Sequence, residues 1–179
     1  MCKRIIGICG FAGAGKDTVA DIILMTDPTG QKFSFADPMR AMIRALGVPE
    51  EYMTDRDLKE SPVPGLGRSY RQLAQTLGTE WGRNLHGANF WVHALQMRIE
   101  ADALSGLCVI PDVRFPNEAD WIHDIGGHLL RVNRPDNPFA VNPHESEQRV
   151  NGLDADRDIW NDGSIGLLNN KVSYILERL

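Results

Sequence analysis

Short apolar runs punctuate the chain and are separated by longer segments of mixed polarity. Runs of four to six mostly apolar residues, ended by Gly or Pro or by a polar segment, are typical of strands that are buried on both faces of a sheet. The sequence predicts such strands at Arg4 to Cys9, Lys32 to Phe35, Leu107 to Ile110 and His128 to Val132, with a brief last strand at Ile159-Trp160.

Between these strands, apolar residues recur every three or four positions, which is the spacing of helices that bury one side. Asp37 and Pro38 are expected to be the N-cap and the first helical residue of the second helix. The predicted helices follow Gly15, run from Asp37 to about Leu46, start at Ser69, and cover about Ala88 to Leu104, Asn117 to Ile125 and Ile165 to Leu179.

Two stretches have neither periodicity. Gly47 to Arg68 is rich in Pro, Gly and charge and predicts an irregular connection, and Asn133 to Asp158 is polar and contains prolines. Elsewhere, strands alternate with helices, which requires crossover connections and therefore a mostly parallel sheet with helices on both faces. Because no repeat or linker separates two cores, residues 1–179 are predicted to form one α/β domain.

The net charge indicates which kinds of binding partner the chain is suited to. The 179 residues include 19 Lys and Arg against 24 Asp and Glu, which gives a formal charge of −5. This balance argues against a nucleic-acid partner, because affinity for nucleic acid comes largely from clustered cations that neutralise its phosphates. A small phosphorylated ligand can be bound by only a few cations. The apolar runs are too short to span a membrane. The three cysteines are expected to be reduced residues of a cytoplasmic protein.

A phosphate-binding loop is predicted between the first strand and the first helix. Gly10 to Thr18, with the sequence GFAGAGKDT, matches the pattern G-x-x-x-x-G-K. Glycines let successive backbone amides converge on an anion, and the helix start adds its first-turn donors and positive dipole end. The residues expected to bind nucleotide phosphates are Gly13, Ala14, Gly15, Lys16, Asp17 and Thr18.

The loop departs from its common form directly after Lys16. Asp17 stands where Ser or Thr usually contacts Mg²⁺, and Thr18 follows one position later. Asp17 could cap the helix or hold Mg²⁺ through water, while Thr18 could supply the hydroxyl. Asp112 is a third candidate metal ligand, because it follows the strand that ends at Ile110 and ligands lie beyond the carboxyl ends of parallel strands.

Cations accompany these candidates. Arg114 shares the strand end of Asp112, and Arg131 and Arg134 flank the exit of the fourth strand. Arginines on a closing segment could stabilise a phosphoryl group in transfer, although ordinary surface charge explains them equally well. Further along, Arg71, Gln75, Thr79 and Arg83 follow helical spacing and form either a functional stripe or the solvated face of a helix.

Six segments together resemble one family, the phage-type deoxynucleoside monophosphate kinases. GKDT alone is weakly specific, but its combination with FADP and DVRFPNEA is much more so. The segments follow the family's order and span most of the chain, with weak cover over Gly47 to Arg68. They are GKDTVAD (Gly15 to Asp21), FADPMR (Phe35 to Arg40), LGTEWGR (Leu77 to Arg83), FWV (Phe90 to Val92), DVRFPNEA (Asp112 to Ala119) and HESE (His144 to Glu147).

The resemblance implies a three-layer P-loop kinase fold, use of ATP and Mg²⁺, and phosphoryl transfer to a deoxynucleoside monophosphate. Residues 47–68 are then expected to form an acceptor-side loop and residues 133–158 a lid-like segment. The expected catalytic residues are Lys16, Arg114, Arg131 and Arg134. The expected acceptor-binding residues are Asp37, Arg40, Arg71, Gln75, Arg83 and Glu147.

Other functions stay open at this point. A P-loop kinase of another phosphorylated metabolite, such as dephospho-coenzyme A or phosphomevalonate, would share the donor site. A nucleotide-binding switch is a rival, although Asn170 to Ser173 does not complete the N-K-x-D element of guanine-specific switches. A DNA-dependent ATPase is disfavoured by the charge of −5. Small-molecule nucleotides are the expected partners, without nucleic acid or membrane, and a homodimer is left open.

Overall fold

The computed structural model describes residues 4–102, 106–137 and 149–179. The internal contacts of the chain divide it into two units, which we describe in turn. The first unit comprises Met1–Ser34 together with Gln96–Leu179, and the second comprises Phe35–Leu95. The assignment of residues 1–179 to one domain stays a prediction.

The first unit is built on a parallel sheet. Among the described residues the sheet has five strands in the order β2-β3-β1-β4-β5, and every neighbouring pair is parallel, as predicted. The strands are β1 (Arg4–Cys9), β2 (Gln31–Lys32), β3 (Leu107–Ile110), β4 (His128–Asn133) and β5 (Arg157–Trp160).

Helices cover both faces of this sheet, which confirms the three-layer fold. One face carries α1 (Lys16–Leu24) and α7 (Ile165–Leu176), which share a buried core with apolar residues of the strands. The other face carries α6 (Pro116–Asp124), where a Cβ on Gly7 would lie 2.4 Å from Ile122 Cδ1. Glycine at position 7 therefore lets α6 approach the central strand closely.

The edge of the sheet differs from the prediction at β2. The predicted strand ran from Lys32 to Phe35, whereas the ladder ends at Lys32. Phe33 still donates its amide to Val109 O at 2.9 Å, so hydrogen bonding to β3 continues one residue beyond β2. A carboxylate fixes the nearby start of β3, because Leu107 donates its amide to Asp27 Oδ2 at 3.0 Å.

The remaining elements of the first unit include α5 (Phe90–Ala101), which begins in the second unit, and a 3₁₀ turn at Arg149–Gly152. Cys9 is a free buried thiol, as predicted, but Cys108 is disulfide-bonded, so the prediction that it is reduced is wrong. No helix of the described ranges is both long and apolar enough to cross a membrane.

The second unit is helical and has its own small core. Residues 47–68 contain α3 (Glu50–Thr54) and a 3₁₀ turn at Leu58–Glu60, so the predicted irregular connection is confirmed only outside these two short elements. Periodicity missed these elements because they are only five and three residues long. The buried side chains of this core are Ile43, Val48, Met53, Val63 and Tyr70.

The helix α2 (Asp37–Ala45) begins one residue earlier than predicted. Ala36 is its N-cap and Asp37 is already helical, so the prediction that Asp37 is the cap is wrong. The next helix, α4 (Tyr70–Gln75), starts as predicted after Ser69. Ser69 Oγ accepts from Gln72 N at 3.2 Å and Gln72 Oε1 accepts from Ser69 N at 3.1 Å, which completes a capping box.

A π-helix from Thr76–Leu85 continues directly from α4. Trp91 explains its position, because the indole Nε1 donates to Gly78 O at 2.8 Å and a Cβ on Gly82 would lie 2.4 Å from the same nitrogen. Hydrogen bonds in a π-helix span five residues instead of four. A step of four residues still returns close to the same side of such a helix, and in the predicted stripe Arg71, Gln75 and Thr79 are exposed while Arg83 is half-buried.

Candidate active site

The predicted phosphate loop lies between β1 and α1, at the carboxyl end of the central strand. Three of its glycines have positive φ angles, 142° at Gly10, 74° at Gly13 and 100° at Gly15. Gly15 is the N-cap of α1, and Lys16 is its first helical residue. The backbone thus has the strand–loop–helix form that anion binding at a helix start requires.

Side-chain donors hold three consecutive carbonyl groups of the loop. In a trans peptide the C=O and N–H groups point in opposite directions, so fixing a carbonyl on one side aims the next amide to the other. The pairs are Asn137 Nδ2 to Ala12 O at 2.7 Å, Arg134 Nη1 to Gly13 O at 3.2 Å and Asn161 Nδ2 to Ala14 O at 2.9 Å.

Asn137 and Asn161 are not among the site residues that the sequence predicts. Asn137 follows β4 and Asn161 follows β5, at the edge of the sheet where ligands of parallel sheets bind. This position after a strand is the only feature of the sequence that could have indicated them. Asn137 is 5% exposed, so its amide needs partners inside the protein, and the loop carbonyl is one of them. The contact of Arg134 adds a role at the loop to the predicted one.

Lys16 contacts the phosphate loop, where it is expected to bind nucleotide phosphates. Its Nζ donates to Gly10 O and Phe11 O, each at 2.9 Å, and the residue is half-buried. Ala14 N also donates to Phe11 O at 3.2 Å, which closes a turn inside the loop. Backbone oxygens therefore hold the ammonium at the anion-binding loop. A bound phosphate could replace these oxygens as the partner of Lys16.

The two candidate metal ligands after Lys16 have different surroundings. The side chain of Asp17 is 84% exposed, and its Oδ1 lies 3.8 Å from Lys32 Nζ. Lys32 Nζ also lies 2.6 Å from Asp21 Oδ1. Thr18 is half-buried in the first turn of α1. Asp17 thus shares Lys32 with Asp21 on the surface, while Thr18 is the more enclosed of the two candidates.

Asp112 lies two residues beyond β3 and is half-buried. Ser34 Oγ donates to Asp112 Oδ2 at 2.5 Å, a contact that no pattern in the sequence indicated. The described residues contain no group of three metal-binding side chains. Mg²⁺ does not require one, because it is usually held by one or two carboxylates with water and substrate phosphates.

A buried carboxylate shapes the turn that carries Arg114. Glu118 is 2% exposed and its Oε2 accepts from Arg114 N at 2.8 Å and from Phe115 N at 3.1 Å. The side chain of Arg114 is exposed, and no carboxylate of the described residues pairs with it. Its guanidinium is therefore accessible to an anion at the carboxyl edge of the sheet.

Arg131 has structural partners within the sheet. It donates to Leu153 O, and its Nη1 lies 3.7 Å from Asp158 Oδ1. It also faces Cys9, whose thiol pKa is raised by burial while the neighbouring Arg131 opposes that rise. These contacts tie Arg131 to β1 and β5, in contrast to Arg134, which reaches the phosphate loop.

The predicted acceptor residues, all but Glu147 in the second unit, differ in their surroundings. Asp37 Oδ1 accepts from Arg40 Nη1 at 3.1 Å, so the structure brings this predicted pair together. Arg71 instead forms an ion pair with Glu60. The remaining predicted residues are Gln75, which is exposed at the end of α4, Arg83, which donates to Ala88 O at 3.3 Å, and Glu147, which lies outside the described residues.

Comparisons with known proteins identify the family of the chain. The family model for deoxynucleotide monophosphate kinase matches residues 67–172. A protein of Acanthamoeba polyphaga mimivirus that is named after this kinase family is 30% identical over 184 residues, which cover 93% of this chain and 89% of that protein. The deoxynucleoside-5′-monophosphate kinase of Escherichia phage T5 is 26% identical over 212 residues, covering 82% and 84% of the two chains.

Among solved structures, TT1252 from Thermus thermophilus has a similar fold. Its TM-score is 0.55 at 23% identity, and the match covers 100% of this chain and 99% of that one. At this identity the likeness concerns the fold alone. The family match and the viral relatives carry the assignment, and the chain belongs to the deoxynucleotide monophosphate kinase family.

Proposed function

We propose that this enzyme transfers the γ-phosphoryl group of ATP to the 5′-phosphate of a deoxynucleoside monophosphate and releases the diphosphate. Family membership supports the reaction class. The observation that carries the donor side is the phosphate loop, whose carbonyls at positions 12, 13 and 14 are each held by a side-chain donor. Such a loop offers converging amides to an oligophosphate.

The donor phosphates would bind to the loop amides and to Lys16. Within the described part of the chain, nothing accepts a hydrogen bond from the amides of Gly13 and Gly15. Both follow carbonyls that are fixed from outside, so both amides are aimed away from those donors. Lys16 would exchange the carbonyls of Gly10 and Phe11 for phosphate oxygens, since an ammonium can follow the β- and γ-phosphates.

The residues present fit a magnesium ion. Oxygen ligands suit Mg²⁺, and Asp112 offers a half-buried carboxylate whose orientation is fixed by Ser34. We assign the metal to Asp112 and to the hydroxyl of Thr18, because Asp17 pairs with Lys32 at the surface. When bound, Mg²⁺ would neutralise the charge of the donor β- and γ-oxygens.

The acceptor phosphate needs no strong general base. A phosphate monoester is largely dianionic at neutral pH, since its second pKa is about 6, so its oxygen is already deprotonated when it attacks. The enzyme then has to align two anions and neutralise them. Arg114 and Arg134 are the proposed stabilisers of the transferring group, since Arg131 is engaged within the sheet.

Acceptor binding is assigned to the second unit. The proposed phosphate anchors are Arg40, Arg71 and Arg83, with Asp37 and Gln75 available to sugar and base atoms and Glu147 added from the sequence resemblance alone. Arg71 would have to leave Glu60 to bind an acceptor, which makes that ion pair a competitor of the phosphate. We also propose that the enzyme acts in the cytoplasm, which is that of the host cell if the chain is viral.

The test is a coupled assay with ATP and a panel of acceptors. We expect turnover with at least one of dTMP, dGMP, dCMP, hydroxymethyl-dCMP and dAMP, and none with dephospho-coenzyme A or phosphomevalonate. Turnover confined to the last two would replace the acceptor assignment but keep the donor site. ATP hydrolysis that depends on DNA and not on a nucleotide acceptor would contradict the proposal.

A further inference from the structure

Asn161 joins the end of β5 to the phosphate loop. Its backbone amide donates to Asn133 O at 2.8 Å, which extends the β4–β5 ladder by one bond. Its side-chain Nδ2 donates to Ala14 O at 2.9 Å, and the residue is half-buried. The sheet therefore fixes the position of Asn161, and Asn161 in turn fixes a carbonyl that is 147 residues away in sequence.

The last glycine of the loop makes this contact possible. A Cβ on Gly15 would lie 2.6 Å from Asn161 Nδ2, closer than two such atoms can approach. Gly15 also has a φ of 100°, which a side chain would disfavour. The amide of Asn161 thus lies where any larger residue at position 15 would place its side chain.

We propose that Asn161 is a positioning residue for the donor phosphates. Its hydrogen bond holds the peptide between Ala14 and Gly15 in one orientation, and the trans peptide then points the Gly15 amide in the opposite direction, into the loop. A donor oligophosphate meets a preorganised amide and does not have to pay for ordering it. This inference rests on the donor part of the proposed function.

The chemistry of the contact requires an amide. Asn161 donates through Nδ2, whereas an aspartate of the same shape is an acceptor only at neutral pH. Its carboxylate would face the Ala14 carbonyl and add a negative charge beside bound phosphates. Asn161→Asp therefore removes the donor with little change in volume, while Asn161→Ala removes both the donor and the volume.

The experiment measures binding of ATP and of inorganic tripolyphosphate by isothermal titration calorimetry. For Asn161→Ala we expect both affinities to fall about tenfold, the scale of one lost hydrogen bond at a phosphate site. For Asn161→Asp we expect a loss at least as large. The KM for ATP should rise in parallel, while the KM for the nucleotide acceptor stays within about twofold of wild type.

Asn169→Ala is the matched control, since Asn169 is exposed on α7, and it should change none of these values. If Asn161→Ala lowers the melting temperature, the affinities of the nearly isosteric Asn161→Asp are used to test the proposal instead. Unchanged affinities in that variant would overturn the proposal, and so would a loss for ATP without one for tripolyphosphate. If wild type binds tripolyphosphate in an Asn161-dependent way but phosphorylates no nucleotide, the proposed function fails and this inference stands.

Discussion

The hydroxyl of Ser34 donates a hydrogen bond of 2.5 Å to Asp112 Oδ2, although 78 positions separate the two residues. Adjacent strands β2 and β3 bring them together, since each residue follows one of these strands. Ser34 is only 7% exposed, so its hydroxyl has few alternatives to its partners in the protein. The serine thus orients the carboxylate that we assign to Mg²⁺.

Removing that hydroxyl should weaken the metal site without abolishing it. For Ser34→Ala we expect the Mg²⁺ concentration at half-maximal activity to rise about three- to tenfold, the equivalent of one hydrogen bond. Binding of Mn²⁺, followed by electron paramagnetic resonance, should weaken by the same factor. Asp112→Asn should have the larger effect on both readouts. An unchanged Mn²⁺ affinity in Asp112→Asn would refute the metal assignment.

Lys16→Met should lower the rate of phosphoryl transfer by about 100-fold or more, because a cation on the transferring group is lost. The fold should persist, since Lys16 lies at the start of α1 outside the buried core and its Nζ donates to loop carbonyls of Gly10 and Phe11 that water can also satisfy. Lys32→Met is the control, because Lys32 pairs with Asp21 and Asp17 on the surface. Steady-state kinetics that show equal losses for the two variants would contradict the assignment of Lys16.

Asp27 should make the stability of the folded protein depend on pH in the acidic range. Hydrogen bonds from the Thr29 hydroxyl, the Thr29 amide and the Leu107 amide lower the pKa of this carboxyl from its ordinary value of 3.8. A lowered folded-state pKa contributes stability above the unfolded value, and this stability is lost as the pH falls through the folded one. For Asp27→Asn we expect a lower melting temperature at neutral pH.

The difference between wild type and Asp27→Asn should shrink as the pH falls through 3.8 toward the lower folded pKa, because protonation removes the advantage of the wild-type carboxylate. Differential scanning calorimetry at several pH values measures it. Asp120→Asn, an exposed change on α6, serves as the control. A difference that stays constant over this range would exclude the carboxylate as its cause.

The π-helix makes a separate prediction about stability. For Gly82→Ala we expect a loss of about 1–3 kcal/mol, because the new methyl group would overlap the buried Trp91 indole at 2.4 Å. Gly78→Ala is the matched control, since its Cβ would meet only the flexible Met39 Sδ, at 3.1 Å. Chemical denaturation checks both variants, and equal stability losses would contradict the packing explanation.

Local signals made much of the first unit predictable. The strand β1, the glycines of the phosphate loop and the start of α1 follow one another without a break between Arg4 and Lys16, and the apolar runs of β3 and β4 are continuous in sequence. Such runs favour buried parallel strands whatever their neighbours are. The amino-acid pattern alone therefore sufficed to place the phosphate loop, Asp112 and Arg114 at the carboxyl edge of the sheet.

Contacts between distant residues were not predictable in the same way. Asn161 and Ala14, or Ser34 and Asp112, meet only because the strand order brings β5 and β2 to the edges of the sheet. The π-helix likewise depends on Trp91 packing against Gly82. Helical spacing alone continues α4 as an α-helix, so it did not indicate the change to a π-helix at Thr76.

The transfer of label from γ-³²P-ATP tests the central claim most directly. Wild-type enzyme incubated with a deoxynucleoside monophosphate and Mg²⁺ should place the label in the corresponding diphosphate, separated by chromatography, and Lys16→Met should form little of it. Label that appears only as inorganic phosphate, with every deoxynucleoside monophosphate left unphosphorylated, would contradict the account.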